Sequence, residues 1–479
     1  MPRAPSPALT ACLDALRTQL GAAAVHDDAD SILVYESDGS RLHDAVPEAV
    51  VFPRSAAQVA QVVRACVRHG VPYVGRGAGT GLSGGAMAHD GGVVVALNRM
   101  NKVLRFDAAE RRIRVEPGVR NLDVTRHVAP HGLYYAPDPS SQAACTIGGN
   151  VAHNSGGPHT LKDGVTVNHL LGVQVVTPQG EIVEVGGDER PGYDLLALLA
   201  GSEGTLGLVT AAELKLLRTR ESVRTLLVAY PSVEHACEAV SAIIGSGLLP
   251  CALELLDVEV VDALTAAFGL EFPDGAGALL LIETDGPLAG MKTEAKRIEA
   301  VCKEHGALSV RLAADDAERA QLWKARKQAF GALGRIARHY STQDGVIPRT
   351  RLPEMLRHVR EIAARHELRV ANVFHAGDGN LHPCLLYDDE SADTTARVVA
   401  AGQEILARCL ELGGTLSGEH GVGIEKREAM AQLFDATALE VFTNLRAAFD
   451  PTGLCNPGKV LPLGRGCGEV LAAGKQVSS

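Results

Sequence analysis

The sequence predicts an α+β protein in two long halves, on three observations. At 479 residues the chain is roughly three times the usual domain length, so two or more domains with their own cores are expected. From about Ser222 onward, strand-like and helix-like segments alternate with few glycine clusters, the pattern of a split α+β sheet. Before that point, glycine-rich loops punctuate short apolar strands.

In the first half, Ala49 to Phe52 reads as a strand, and Ser55 caps a helical pattern that runs to His69 and stops at Gly70. A second strand, Val71 to Gly75, opens into Arg76-Gly-Ala-Gly-Thr-Gly-Leu-Ser-Gly-Gly85, and Val93 to Leu97 is the next strand. Pro137 to Gly157 is a second glycine-rich region, and Gly201-Ser-Glu-Gly-Thr-Leu-Gly207 belongs to a third. Three loops rich in backbone donors within one domain suggest a large phosphate-bearing cofactor. In the second half, strands at 223–229, 251–256, 278–283 and 307–312 alternate with helices near 232–245, 258–268 and 291–305. A long helix over about 315–338 carries Trp323, Lys324 and Arg326, another covers 353–367, and two more are expected over 392–412 and 426–448. The last residues, Gly464 to Ser479, read as a frayed tail.

Composition narrows the function. The formal net charge of −11 and scattered Lys and Arg remove the electrostatic footprint of a nucleic-acid binder. Apolar stretches such as Ala278 to Ile282 fall far short of a membrane span, and the start has no apolar signal region. Cytoplasmic residence is expected, with or without attachment at the inner membrane through a partner. The ten cysteines stand singly with no Cys-x-x-Cys pair, which argues against iron–sulfur, haem or disulfide frameworks.

Gly79-Thr-Gly81-Leu-Ser-Gly84 formally fits a dinucleotide fingerprint. Its context does not, because the next strand follows too soon for the helix whose N-terminus would hold a pyrophosphate. A nest of successive backbone N–H groups, helped by Thr80 and Ser83, is the better reading.

The most chemically pointed segment is His375-Ala-Gly-Asp-Gly-Asn-Leu-His382, followed later by Glu419-His420. Seven apart, the two histidines would face opposite sides of an unbroken strand, but Gly-Asp-Gly between them is turn chemistry that can fold both inward. Two imidazoles and a carboxylate suit zinc, manganese or iron with a position open to substrate. Hydrogen-bonded loop histidines are the plainer alternative.

Taken together, Val74 to Gly85, Pro137 to Gly157 and Gly201 to Gly207 resemble the FAD-binding half of the vanillyl-alcohol oxidase/PCMH flavoproteins. His375 to His382, Gly418-Glu-His-Gly421 and Asn456-Pro-Gly-Lys459 resemble the D-2-hydroxyacid dehydrogenase branch of that superfamily, which includes the glycolate oxidase FAD-linked subunits and D-lactate dehydrogenases. The likeness spans roughly residues 30 to 463.

The resemblance implies a PCMH-type FAD-binding domain followed by a ferredoxin-like cap domain, with a C-terminal helical segment returning to the FAD domain. The expected divisions are 1–30 (helical), 31–220 (FAD-binding), 221–413 (cap), 414–463 (returning segment) and 464–479 (tail). Arg76, Gly77, Ala78, Gly79, Thr80, Gly81, Leu82 and Ser83 would hold the pyrophosphate. Ser140, Ser141, Gly148, Asn150 and Asn154 would line the flavin, Glu203, Gly207 and Val209 would lie toward adenine and ribose, and Asn456 would touch the cofactor region. No His or Cys stands in Gly79-Thr-Gly81, so dissociable FAD is expected, with Cys145 and His153 the nearest candidates for covalent attachment.

Oxidising a 2-hydroxy acid requires loss of the hydroxyl proton and hydride transfer, here to flavin N5. A metal on His375, His382 and Glu419 would lower the hydroxyl pKa, leaving His420 as the base and Arg326 as the carboxylate grip. The places that hold a second carboxylate in the D-2-hydroxyglutarate branch read here as Phe330 and Thr342, and an asparagine just past the second histidine reads as Cys384, which favours a small acid such as glycolate or lactate. The acceptor is expected to be external: an iron–sulfur subunit, a quinone, an electron-transfer flavoprotein, a cytochrome or oxygen. The alternatives are a non-catalytic flavin relay subunit, a D-2-hydroxyglutarate dehydrogenase, an aromatic-alcohol oxidase or an ether-lipid synthase.

Overall fold

The structure is a computed structural model that describes residues 6–40, 42–187, 192–269 and 272–463. The tail beyond Leu463, with Cys467, and the first five residues lie outside the described residues. The chain divides into two compact units. The first comprises residues 1–155, 165–218 and 419–479, and the second 156–164 and 219–418.

In the first unit, Ser6 caps the helix Pro7–Leu20 by accepting from the Leu9 N–H, and the helix buries Leu9, Cys12, Leu13 and Leu16. These pack with Val59, Val62, Val63 and Cys66 of the helix Ala56–His69 in one apolar core. That second helix begins at the Ser55 cap and stops at Gly70, whose left-handed φ of +64° ends it. It connects two parallel strands of a four-stranded sheet ordered Val25–His26, Ala49–Val51, Val93–Ala96, Tyr73–Arg76. The glycine loop therefore leaves the C-terminal end of a buried parallel strand. A five-stranded antiparallel sheet completes the unit, ordered Val103–Asp107, Arg112–Val115, Leu208–Lys215, Leu170–Val176, Ile182–Gly186. The C-terminal chain returns beside Tyr73, whose N–H donates to Leu454 O and whose carbonyl accepts from Asn456 N–H.

In the second unit, the strands Ser222–Tyr230, Ala252–Asp257, Ala278–Gly286 and Ser309–Leu312 lie in the spatial order fourth, first, third, second, each antiparallel to its neighbour. This is the ferredoxin-like order, with one extra helix, Val258–Phe268, between the second and third strands. Arg369–His375 adds to the free edge of Ala252–Asp257 and continues the sheet. The expected α+β class and the ferredoxin-like second domain both stand.

Two expected helices are corrected. The run over 315–338 ends at Leu333, and the chain turns at Gly334 into the strand His339–Thr342. The run over 426–448 breaks at Phe434, because the Asp435 carboxylate accepts from Ala438 N–H and starts a new helix, Ala436–Phe449. The strap 156–164, early in the sequence, belongs to the second unit. Ion pairs fasten it there: Lys162 to Asp285 at 2.6 Å, Asp163 to Arg220 at 2.6 Å and His159 to Glu283 at 3.3 Å.

Candidate active site

The glycine loop of the first unit keeps its backbone donors and commits its side chains. The N–H groups of Ala78, Gly79, Thr80, Gly81 and Leu82 donate to no acceptor in the described protein. Five consecutive unanswered donors form a concavity for a strongly anionic group such as a diphosphate. The side chains around them point to other work. Arg76 is buried and donates to Ser37 O and Ala86 O, and the Ser83 hydroxyl donates to His420 O. Gly79 has a φ of +69°, and a Cβ there would sit 2.2 Å from Arg76 NH2, so no larger residue fits.

Beneath the loop lies Asp38, which sequence reasoning missed. Its carboxylate accepts from Gly84 N–H and Ser40 N–H, while burial pushes its carboxyl up to about 6. Further residues expected at the cofactor have these partners within the protein. Both Glu203 oxygens accept backbone N–H groups of the returning segment, from Val422 at 2.6 Å and Gly423 at 2.8 Å. Asn150 is buried and bonded to Asn121 and Cys145, and the Asn154 side chain caps a turn by accepting from Val167 N–H. Gly148 is pressed against Pro117, Gly207 against Val175, and Val209 sits in a paired strand. Ser140 is exposed, and Ser141 heads a tight turn by accepting from Ala144 and Cys145 N–H. Asn456 does reach the loop, its Nδ2 donating to Gly85 O and Glu203 O. Lys459 follows it, buried, with Nζ on Met87 O and its pKa pushed down to about 8 by burial.

The histidine segment of the second unit is a β-hairpin. Arg369–His375 turns through residues 376–379 and returns as Asn380–Leu381 and Pro383–Tyr387. The register His375↔Asn380 runs without slip to Asn372↔Pro383, which sets His382 opposite Val373. Val373 and His375 are two apart and share a face, so the two histidines share it too. Their rings meet edge to face with centroids 5.1 Å apart, and one nitrogen of each lies within 4.8 Å of the other.

Each imidazole is held at Nδ1. His375 Nδ1 lies 2.7 Å from Glu254 Oε1, and His382 Nδ1 lies 3.3 Å from the Gln343 carbonyl. A carboxylate and a carbonyl can only accept, so both Nδ1 atoms carry a proton, and in the neutral ring the lone pair is left on Nε2. That tautomer is the one a metal ligand needs. Glu254 is fully buried; burial pushes its carboxyl up, but His375 and Arg326 outweigh this and hold it below the ordinary range. Arg326 is itself buried, with NH2 2.5 Å from Glu254 Oε2, while its Nε makes no hydrogen bond. Asp344 accepts from the Ser417 hydroxyl and Gly418 N–H, fixing the residue that immediately precedes Glu419-His420. Phe330 packs in an apolar core and stacks on Tyr340, and Thr342 faces the buried Cys384 at 3.5 Å.

A second donor cluster, His159, Cys251 and Glu283, is unsuited to a cation. Its carboxylate already accepts from two Arg319 nitrogens, Nε and NH2, and from Trp323 and Thr225, and Arg220 stands 3.8 Å away.

Comparison with known proteins identifies the family. Residues 47–186 match the family of FAD binding domains, and residues 219–460 match the C-terminal domain of FAD linked oxidases. The chain belongs to the FAD-linked oxidases. Across 463 residues this oxidase is 45% identical to the glycolate oxidase subunit GlcD of Escherichia coli strain K12, covering 96% of this chain and 93% of that one. It is 34% identical over 427 residues to a D-lactate dehydrogenase of Anaerostipes hadrus, covering 87% and 90%. The structure of p-cresol methylhydroxylase with substrate bound superposes with a TM-score of 0.78 at 17% identity, over 96% and 98% of the two chains, a likeness of fold. The FAD-linked oxidase is thus a flavin-dependent oxidoreductase with an FAD-binding domain, and among its described residues no helix is long and apolar enough to cross a membrane.

Proposed function

We propose that the protein oxidises a small 2-hydroxy acid, glycolate or D-lactate, to the 2-oxo acid, with a divalent metal ion on His375, His382 and Glu419 and with His420 as the base. The observation that carries the metal is the pair of Nδ1 tethers, which present both imidazoles in the ligating tautomer. The named relatives support the substrate class: one is a glycolate oxidase subunit and another a D-lactate dehydrogenase. When bound, FAD would supply the hydride acceptor, and zinc, manganese or iron would lower the pKa of the substrate hydroxyl.

The remaining work falls to the chain's own groups. Arg326 keeps an unanswered Nε donor on a buried guanidinium, suited to a charge-assisted contact with a substrate carboxylate. His420 takes the hydroxyl proton, the role for which an imidazole is the side chain used most often. Its own carbonyl is pinned by the Ser83 hydroxyl at 3.0 Å, which limits how far the segment can wander. Apolar Phe330 and the buried Cys384 offer no cation to a second carboxylate, which supports a small acid over hydroxyglutarate. Electrons leave to an external acceptor, and the subunit naming of the Escherichia coli relative supports a partner protein.

An anaerobic panel of D- and L-2-hydroxy acids, followed at the flavin absorbance band before and after metal chelation, tests this reading. Bleaching by glycolate or D-lactate that chelation abolishes is expected; bleaching that survives complete metal removal would overturn the metal's role.

A further inference from the structure

We infer that Glu254 is a positioning residue, which locks the ligand face of His375 and yokes it to Arg326 through one carboxylate. The inference rests on the metal reading above. Glu254 lies in the strand Ala252–Asp257, in register directly opposite His375 on the neighbouring strand. Its two oxygens are divided: Oε1 is 2.7 Å from His375 Nδ1, and Oε2 is 2.5 Å from Arg326 NH2, on the helix Asp316–Leu333. All three side chains are at most 5% exposed, so this is an interior arrangement and not a chance surface pair.

A buried carboxylate without compensation is costly, and most positions in this strand are apolar: its other members are Ala252, Leu253, Leu255, Leu256 and the helix-capping Asp257. Glu254 is retained among them because one guanidinium balances its charge while its other oxygen does something a neutral residue does less well. An imidazole tethered to a carboxylate has its ring rotation fixed, its proton placed on Nδ1, and the electron density at Nε2 raised. His382 receives the weaker version of the same device, a neutral carbonyl at 3.3 Å. The two ligands are therefore unequal, and His375 should be the stronger donor. Arg326 gains as well, since Glu254 anchors the guanidinium through NH2 and leaves Nε without a hydrogen-bond acceptor.

The experiment uses the full, FAD-loaded chain, stripped of metal and titrated with Co2+ alone, reading both the dissociation constant and the visible ligand-field band. Glu254→Gln should weaken Co2+ binding about 10–100-fold and shift the band, with FAD content unchanged. Glu254→Asp, which keeps the charge but shortens the arm, should fall between it and wild type. General destabilisation would not move the band of the protein that remains folded. Where Glu254→Gln does not accumulate as FAD-bound protein, Glu254→Asp decides: weaker Co2+ binding supports the inference and wild-type binding overturns it. If His375→Ala abolishes Co2+ binding while Glu254→Gln leaves affinity and band unchanged, this inference alone fails. Absence of Co2+ binding in the wild-type chain would sink the metal reading and this inference together.

Discussion

The glycine loop over 78–82 and the hairpin over 375–382 use their atoms in opposite ways. In the loop, Arg76 and Ser83 spend their side chains on the protein, and what is left for a ligand is a row of backbone N–H groups. In the hairpin, the backbone is consumed by strand pairing, and what is left for a ligand is the pair of imidazoles held by Glu254 and Gln343. A backbone cradle suits a large, invariant anion, because its donors do not depend on residue type. A side-chain array suits a reaction, because protonation and ligation are properties of specific residues. One region should therefore respond to substitutions that change backbone shape, and the other to substitutions that change side-chain chemistry.

The largest expected effect lies in the hairpin. His382→Ala should slow flavin reduction by substrate by about 10³-fold, the equivalent of roughly 4 kcal/mol, while leaving FAD content at the wild-type level. Anaerobic stopped-flow at the flavin band reads the first and the absorbance ratio of flavin to protein the second. A parallel loss of FAD would dissolve the distinction between the regions.

Next comes the segment that follows Glu419-His420. Glu203→Gln removes charge from two short bonds to Val422 and Gly423 and should cost about 1.5–3 kcal/mol of stability in thermal or denaturant unfolding. Gly79→Ala tests the cradle itself: a Cβ against Arg76 in a left-handed backbone should weaken FAD binding by about 1–3 kcal/mol, with Co2+ affinity unchanged. Isothermal titration with FAD gives that number.

The smallest effect sharpens the electrostatics of the loop. Asp38 has its pKa raised by burial to about 6, above the ordinary 3.8, so it ionises as pH climbs through about 6. The new negative charge then opposes a diphosphate above it, and by linkage FAD affinity should fall several-fold across that interval, about 1 kcal/mol at this burial. Asp38→Asn should flatten the profile. An affinity that rises through pH 6 would contradict this sign.

Much of this was legible in the residues. The Ser55 cap, the Gly70 stop and the alternating second half lead to the observed elements, because capping and periodicity are local. The turn between His375 and His382 was also local, and Gly-Asp-Gly was enough to bring the two rings together. What escaped was long-range. Glu203 stands in a glycine-rich loop, but the partners of its carboxylate are 219 and 220 residues away. Asp38 carries no motif and acquires its role only when Gly84 folds over it. Glu254 left a faint signal, a carboxylate inside the run Ala-Leu-Glu-Leu-Leu, where burial demands a partner. The break at Asp435 was a capping signal that sequence reading passed over.

The central claim is that side-chain chemistry at the histidine site, with His420 as the base, delivers substrate electrons to the flavin held by the loop. It is tested most directly by mixing FAD-loaded His420→Ala and wild-type protein anaerobically with glycolate or D-lactate and following the flavin band. The account predicts that wild type bleaches and that the variant keeps its FAD but stays oxidised; reduction of the variant at the wild-type rate would contradict it.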